Sequence, residues 1–391
     1  MRTEGCYRLL ILQGGGALGA YECGVYQALE ERGIAFDAVA GVSIGAINGA
    51  IIAGNPAGER GKALRGFWRE AGLPFLLPPG DALRRHFSAA CAAVFGNPQL
   101  FVPRWLDPWL AMSMGCWTSL YDARPMKRLV EKYVSFDYLA KKEVRLFLAA
   151  VNIETGRMEL FDSFREPLTA DHVMASGALP PGLPPVTVNG KTYWDGGLVS
   201  NTPLPEVLDR LVTLRELQGQ ADTLRREVYI VDLFPREGDL PRDLGEVIGR
   251  HKDILYAARI DSDIHQFQVM DQALSVINEL LSQVPEDVAR RVRRSPPFLH
   301  VLSHTWGGDL VRISHRPTDR DEFHFKDYDF SPATIAQRIE AGYRDALAAL
   351  EPRMGPQGQA DGGDAGGGKD AGHRPGRGGG SWRLAGQRAP R

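Results

Sequence analysis

Short apolar runs alternate with helical patterns through the first fifty residues, and a glycine-rich turn follows the first run. Residues 7–12 are apolar from Leu9 onward and stop at Gly14-Gly15-Gly16, which predicts a buried parallel strand. Residues 18–32 place Tyr21, Val25, Ala28 and Leu29 on one side of a helix, with Gly33 as its stop. Residues 36–40 predict a second strand, and residues 44–53 a helix that buries Ile44, Ile47, Ile51 and Ile52. The order strand, glycine loop, helix, strand, serine turn, helix predicts an α/β fold with a parallel sheet.

The pattern loosens between Asn55 and about Trp117. Residues 73–80, broken by Pro74, Pro78 and Pro79, cannot form one regular element. Trp105, Trp109, Met112, Met114 and Trp117 make an apolar, aromatic stretch, either a lid or acyl-chain cap or a helical insertion packed on the sheet. Asp122 before Pro125 suits the start of a helix running to about Val134. Residues 144–151 predict a strand, Glu154-Thr155-Gly156 a hairpin turn, and residues 158–161 the return. A short helix over 172–178 is broken by Pro180-Pro181. Asn189-Gly190, a favoured hairpin turn, joins strands over 186–188 and 191–194 and delivers Asp195-Gly196-Gly197.

Residues 228–233 predict a further buried strand, with no evident partner for Asp232. After about Pro235 long helical patterns take over, roughly 243–283 and 285–293. Residues 298–303 and 310–314 predict two more strands, and Ser331-Pro332 caps a final helix to Leu350. The tail over 353–391 is Gly, Pro and Arg with almost nothing apolar, and it is predicted to be disordered.

Composition narrows the class. The chain of 391 residues is 43% hydrophobic, enough for a sizeable core. A formal net charge of −2 gives no general attraction to nucleic acid or to an acidic membrane, although the Arg-rich tail end could touch an anionic surface. Cys6, Cys23, Cys91 and Cys116 lack metal spacing and read as reduced thiols. No signal peptide and no transmembrane run is evident, so the expectation is a cytoplasmic protein with room for peripheral membrane contact. Nothing in the sequence sets the oligomeric state.

Two glycine motifs carry the chemistry. Gly41-Val42-Ser43-Ile44-Gly45 fits a nucleophile elbow, in which a tight turn lifts a serine hydroxyl beside the amides of a helix N-terminus. Gly14-Gly15-Gly16-Ala17-Leu18-Gly19 also satisfies a dinucleotide fingerprint, but Asp37, the candidate ribose acid, precedes the core of strand two. Backbone amides bared by glycines can equally hold an oxyanion. A nucleophile and a donor nest at one sheet edge are what acyl transfer requires. A Ser-His-Asp esterase would need a histidine, yet His251, His265, His300, His304, His315 and His324 lie in predicted helices, strands or polar turns. Asp195, at a strand end before two glycines, has the better context for a base.

Taken in order, these three blocks resemble the patatin-like phospholipase family over roughly residues 7–205, and Ala175-Ser176-Gly177-Ala178-Leu179-Pro180-Pro181 is similar to that family's segment before the aspartate hairpin. The resemblance implies a three-layer α/β/α fold with a mostly parallel central sheet. It implies a catalytic domain over 1–235 with its insertion at about 55–117, then a largely helical extension over 236–352 like that of one bacterial subgroup. It also implies Ser43 as nucleophile, Asp195 as general base, and an oxyanion hole at Gly15, Gly16 and Ala17. Gly14 and Ile44 belong to that hole as well, Gly41 and Gly45 shape the elbow, and Gly196 and Gly197 shape the aspartate loop. The expected substrate is a lipid or other acyl ester, with no cofactor and no metal. Many members carry Arg or Lys where this chain has Leu18, so positive charge is missing there. A Ser-His-Asp esterase, a dinucleotide-binding protein and a non-catalytic lipid-binding or regulatory protein remain the alternatives.

Overall fold

The computed structural model describes residues 6–73, 81–106, 114–218, 225–303, 308–316 and 326–351. The predicted residues Trp109, Met112, His304 and His324, and the tail over 353–391, lie outside them. The chain opens with β1 (Cys6–Leu12), a single helical turn (Gly16–Gly19) and α1 (Ala20–Glu31), then β2 (Ala38–Gly41) and α2 (Ile44–Ala53). α3 (Arg60–Ala71) and α4 (Asp81–Phe95) occupy the loosely patterned region, followed by a two-stranded ladder of β3 (Val102–Pro103) and β4 (Tyr121–Asp122). Asp122 Oδ1 accepts the Arg124 N–H at 2.9 Å at the start of α5 (Arg124–Tyr133), and α6 (Phe136–Leu139) adds one more turn. β5 (Arg145–Asn152) and β6 (Met158–Asp162) form the first hairpin.

α7 (Ala170–Ser176) precedes the second hairpin, β7 (Val186–Val188) and β8 (Lys191–Asp195). Its turn holds both Asn189 and Gly190 at positive φ, 50° and 78°, as the Asn-Gly pair predicts. α8 (Leu204–Gln218) and β9 (Arg225–Asp232) follow, then the long α9 (Leu244–Ser282), whose N-cap Asp243 accepts the Glu246 N–H at 2.9 Å. α10 (Glu286–Arg293), α11 (Pro296–Ser303), β10 (Asp309–Ser314) and α12 (Pro332–Leu350) complete the chain.

Two expectations are corrected. Residues 298–303 lie in helix α11, not in a strand: a short apolar run has no period that separates the two, and Pro296-Pro297 suits a first helical turn. Asp232 does have a partner, Arg312 of β10, whose Nε donates to its Oδ2 at 3.0 Å.

Among the described residues the main sheet runs β10-β9-β1-β2-β5-β8-β7, with β6 also paired to β5. β10, β9, β1, β2 and β5 are mutually parallel, and the two hairpins add antiparallel pairs. Alternate residues of β1 feed two cores, since neighbouring strand side chains point to opposite faces. Leu10 and Leu12 pack with α1, α2, α3 and α12, whereas Leu9 and Ile11 pack with Leu204, Val207 and Leu208 of α8 and Ile260 and Ile264 of α9. The result is a three-layer α/β/α arrangement. β10 and α12 belong to it: β10 extends the sheet beside β9, and Gly24 of α1 lets α12 approach so closely that a Cβ there would lie 1.8 Å from the Ile339 carbonyl.

Candidate active site

β2 ends at Gly41 and α2 begins at Ile44, so Val42 and Ser43 make the turn. Ser43 has φ 56° and ψ −121°, a strained backbone conformation for a residue with a side chain. Bare neighbours permit it. A Cβ on Gly41 would lie 2.2 Å from the Gly45 carbonyl oxygen, and one on Gly45 would lie 2.4 Å from that of Leu12. The Ser43 N–H donates to the carbonyl (3.2 Å) and hydroxyl (3.1 Å) of Ser176. Ser176 Oγ donates in turn to the Ala149 carbonyl at 2.7 Å.

Asp195 reaches Ser43 because of how β5 is shared. β6 lines one edge of β5, pairing Phe147 with Asp162 through to Val151 with Met158. Both β2 and β8 must therefore use the other edge: β2 pairs with residues 145–148, and β8 pairs with residues 150–152. Gly41 lies opposite Leu148 and Asp195 opposite Ala150, so the elbow leaves the sheet where the aspartate strand comes in. Asp195 is 2% exposed, accepts the Gly197 N–H at 2.7 Å and lines the same cavity as Ser43. Burial pushes its pKa from 3.8 up to about 6, with the Gly197 N–H and the Ser43 side chain opposing that rise. Gly196 is needed for the approach, since a Cβ there would sit 2.5 Å from the Ala149 carbonyl oxygen.

The glycine loop lies beside both. Gly14 donates its N–H to Asn201 Oδ1 at 3.1 Å, so this amide is already engaged. Gly15 is extended (φ 175°) and Gly16 turns at φ 56° into the helical turn that precedes α1. At a helix start the first amides have no partner within the helix, which leaves those of Gly16 and Ala17, and that of Ile44 at the start of α2, as donors. Ala17 and Leu18 are fully buried, Leu18 against Gly15.

A cavity of about 200 Å³ joins these parts. Gly14, Gly15, Gly16, Ser43, Ile44, Asp195 and Gly197 line it, whereas Gly41, Gly45, Gly196 and Ala17 do not. Ile47, Leu100, Phe101, Met126, Leu179 and Leu183 give an apolar wall, and Lys252, Tyr256, Asp327 and Tyr328 come from the C-terminal part of the chain. Tyr256 is pushed up by burial and by the charges of Asp195 and Asp327. Among the described residues no histidine lines this cavity. His172 bonds Thr169, His315 meets the Tyr21 ring edge-on, and His251 and His265 are exposed. Asp37 accepts the Arg8 N–H at 2.9 Å at the start of β1 and β2, the far end from the glycine loop. Among the described residues no three His, Cys, Asp or Glu side chains gather as metal ligands, and no helix is long and apolar enough to cross a membrane.

Sequence reading missed Asn201, Thr202, Lys252 and Asp327. Thr202 Oγ1 accepts a hydrogen bond from Gln13 Nε2 at 2.7 Å, and Leu233 N–H donates to Gln13 Oε1 at 2.8 Å, so the residue before the loop is tied down as well. The polar triplet Ser200-Asn201-Thr202 before Pro203 was the available signal. Lys252 and Asp327 carried none, being ordinary charges in a charged helix and a polar loop.

A family model described as patatin-like phospholipase matches residues 10–208, and a second, described as patatin phospholipase, matches residues 254–356. The chain is similar to lysophospholipase NTE1 of Cryptococcus neoformans, 26% identical over 241 residues, 61% of this chain and 12% of that protein. It is likewise similar to lysophospholipase NTE1 of Yarrowia lipolytica, 29% identical over 274 residues, 65% of this chain and 15% of the other. The chain thus spans only a small part of the length of these relatives. Among solved structures, VipD from Legionella pneumophila aligns at 16% identity over 88% of this chain and 67% of its own, with a TM-score of 0.38. ExoU in its complex with SpcU from Pseudomonas aeruginosa aligns at 17% identity over 90% and 52%, with a TM-score of 0.35. The family match covers the elbow, the glycine loop and the aspartate hairpin together, and the chain belongs to the patatin-like phospholipase family.

Proposed function

We propose that the protein is a carboxylic-ester hydrolase acting on lipid esters through a Ser43–Asp195 dyad. The observation that carries this reading is that the strained Ser43 turn and the buried Asp195 line one partly apolar cavity. Asp195 takes the Ser43 proton as Oγ bonds to the ester carbonyl carbon, and the carbonyl oxygen becomes an oxyanion. The amides of Gly15, Gly16, Ala17 and Ile44 supply the donors it needs, while Gly14 is held to Asn201. Collapse expels the alcohol, which takes the proton from Asp195. Water then gives a proton to Asp195 and attacks the acyl-enzyme, and the proton returns to Ser43 Oγ as the free acid leaves.

The substrate class rests on the family, on relatives named lysophospholipase, and on the apolar wall of Ile47, Leu100, Phe101, Met126, Leu179 and Leu183, which suits an acyl chain. Exposed Val94, Phe95, Trp105 and Leu106 fit contact with a lipid surface next to that wall, since Trp105 packs on Tyr121 of the cavity. The test is fluorophosphonate labelling followed by a hydrolysis panel of phospholipids, lysophospholipids and neutral esters. Labelling is expected to vanish in Ser43→Ala and turnover to collapse in Asp195→Asn. Full esterase activity in Asp195→Ala would remove the dyad.

A further inference from the structure

Gly14, Gly15, Gly16, Ala17 and Leu18 have no polar side chain, so beyond the Leu18 N–H to Gly15 carbonyl bond at 3.1 Å the glycine loop has no side chain to fasten it. Its position is imposed from outside. Asn201 and Gln13 hold the end near β1. The other end meets the single helical turn Lys326–Tyr328, far along the chain. A Cβ on Gly16 would fall 2.5 Å from the Asp327 carbonyl oxygen, so the two backbones are in direct contact.

That turn is itself gripped from α9 by two adjacent ion pairs of opposite polarity. Lys252 Nζ meets Asp327 Oδ2 at 2.6 Å, and Asp253 meets Lys326. The second pair is wholly buried, at 0% and 3% exposed, whereas the first is part-exposed at 31% and 19% and borders the cavity. Arg338 of α12, 1% exposed, donates to the carbonyls of Lys326 at 2.9 Å and Asp329 at 3.2 Å. The Lys326 ammonium also lies 5.5 Å from the ring of Phe234, another cavity residue.

We infer that Lys252 and Asp327 are positioning residues for the oxyanion loop: their ion pair seats the 326–328 turn on Gly16 and fixes the amides that would face the developing charge. This deepens the proposed ester hydrolysis and rests on it. The buried Asp253–Lys326 pair and Arg338 hold the turn to the fold. The Lys252–Asp327 pair, adjoining the cavity, sets the placement of Asp327, whose carbonyl meets Gly16. Oxyanion donors act at 2.7–3.1 Å from the charge, and displacements of about 1 Å can cost on the order of 100-fold in rate. Such a loss falls on the transition state, so it appears in kcat with little change in KM.

The test uses the full chain and a soluble p-nitrophenyl ester. Lys252→Met and Asp327→Asn are expected to lower kcat by about tenfold or more while KM stays within about twofold. The thermal midpoint should move by less than about 4 °C, as for a part-exposed pair. Lys252→Arg, which keeps the charge, should hold kcat within about threefold, and it serves if a neutral variant folds poorly. The exchanged double variant Lys252→Asp with Asp327→Lys should recover most of kcat. Unchanged kcat in Lys252→Met, or a loss confined to the thermal midpoint, overturns the inference. Ser43→Ala run alongside separates the two readings. Activity surviving in Ser43→Ala removes the hydrolase mechanism, whereas a Ser43-dependent enzyme indifferent to Lys252→Met removes only this positioning role.

Discussion

The carboxamide of Asn201 closes on both main-chain groups of Gly14: Oδ1 accepts the Gly14 N–H at 3.1 Å and Nδ2 donates to the Gly14 carbonyl at 2.9 Å. Asn201 follows the aspartate loop in sequence, so one short segment carries Asp195 and also fixes the start of the glycine loop. Asp195 and the start of the glycine loop are thereby referred to the same short segment.

Asn201→Ala removes both contacts at a buried site and leaves the Gly14 groups without their partner. Losing such hydrogen bonds costs roughly 1–3 kcal/mol, and a displaced loop is expected to lower kcat about 10- to 100-fold. Asn201→Asp keeps the acceptor for the N–H but sets a carboxylate against a carbonyl oxygen, so it should not restore activity. Steady-state kinetics on a soluble ester reads both variants. An Asn201→Ala enzyme within about twofold of the parent would mean that the loop is held by other contacts.

Local signals explain why much of this was legible in the sequence. β1, β2 and α2 follow from apolar period and glycine punctuation, and the β7–β8 turn from Asn189-Gly190. Ser43 and Asp195 both sit at strand ends next to glycines that crowding forbids from carrying a side chain, which is a sequence-visible trace of close packing. What could not be read depends on pairing across the chain. Asp232 finds Arg312 only because β10 docks beside β9, and Lys252 finds Asp327 only because α9 crosses the 326–328 turn. Residues 298–303 failed for a different reason: six apolar-leaning residues fit one helical turn and a half as well as one strand.

The raised pKa of Asp195 makes the rate depend on pH in one direction. In the proposed mechanism Asp195 is the general base and must be ionised, and burial pushes its pKa up to about 6. kcat/KM should therefore be level above about pH 7 and fall about tenfold per pH unit well below pH 6. A profile of kcat/KM from pH 4.5 to 8.5 checks this, with refolding controls at the acid end. A base limb near the ordinary aspartate value of about 3.9 would contradict a buried, desolvated carboxylate.

Leu18 leaves this position uncharged, and its packing sets what a basic substitution there would do. The side chain is 0% exposed and packs on Gly15. Leu18→Arg would place a charge there without a built partner, with an expected cost on the order of 3–5 kcal/mol. Urea unfolding should show that loss, and esterase turnover should drop with it. A Leu18→Arg protein of parental stability and higher turnover would show that the position opens to the cavity.

Asp195 also sets activity against stability. Its carboxyl has a pKa of about 6 in the fold against 3.8 for the free group, so the folded state favours the protonated form. Below about pH 4 the group is protonated in both states and carries no penalty. As pH rises through about 6 the fold must hold a buried carboxylate, and stability falls by roughly 3 kcal/mol across that window. Asp195→Asn removes the charge while its side-chain oxygen can still accept the Gly197 N–H. The variant should therefore unfold at a higher temperature than the parent at pH 8, with the gap closing towards pH 4, although its turnover is lost. Calorimetry at the two pH values decides the matter. An Asn variant less stable than the parent at pH 8, with a gap that does not move with pH, would mean that the Gly197 N–H and the Ser43 side chain outweigh the burial of the carboxylate.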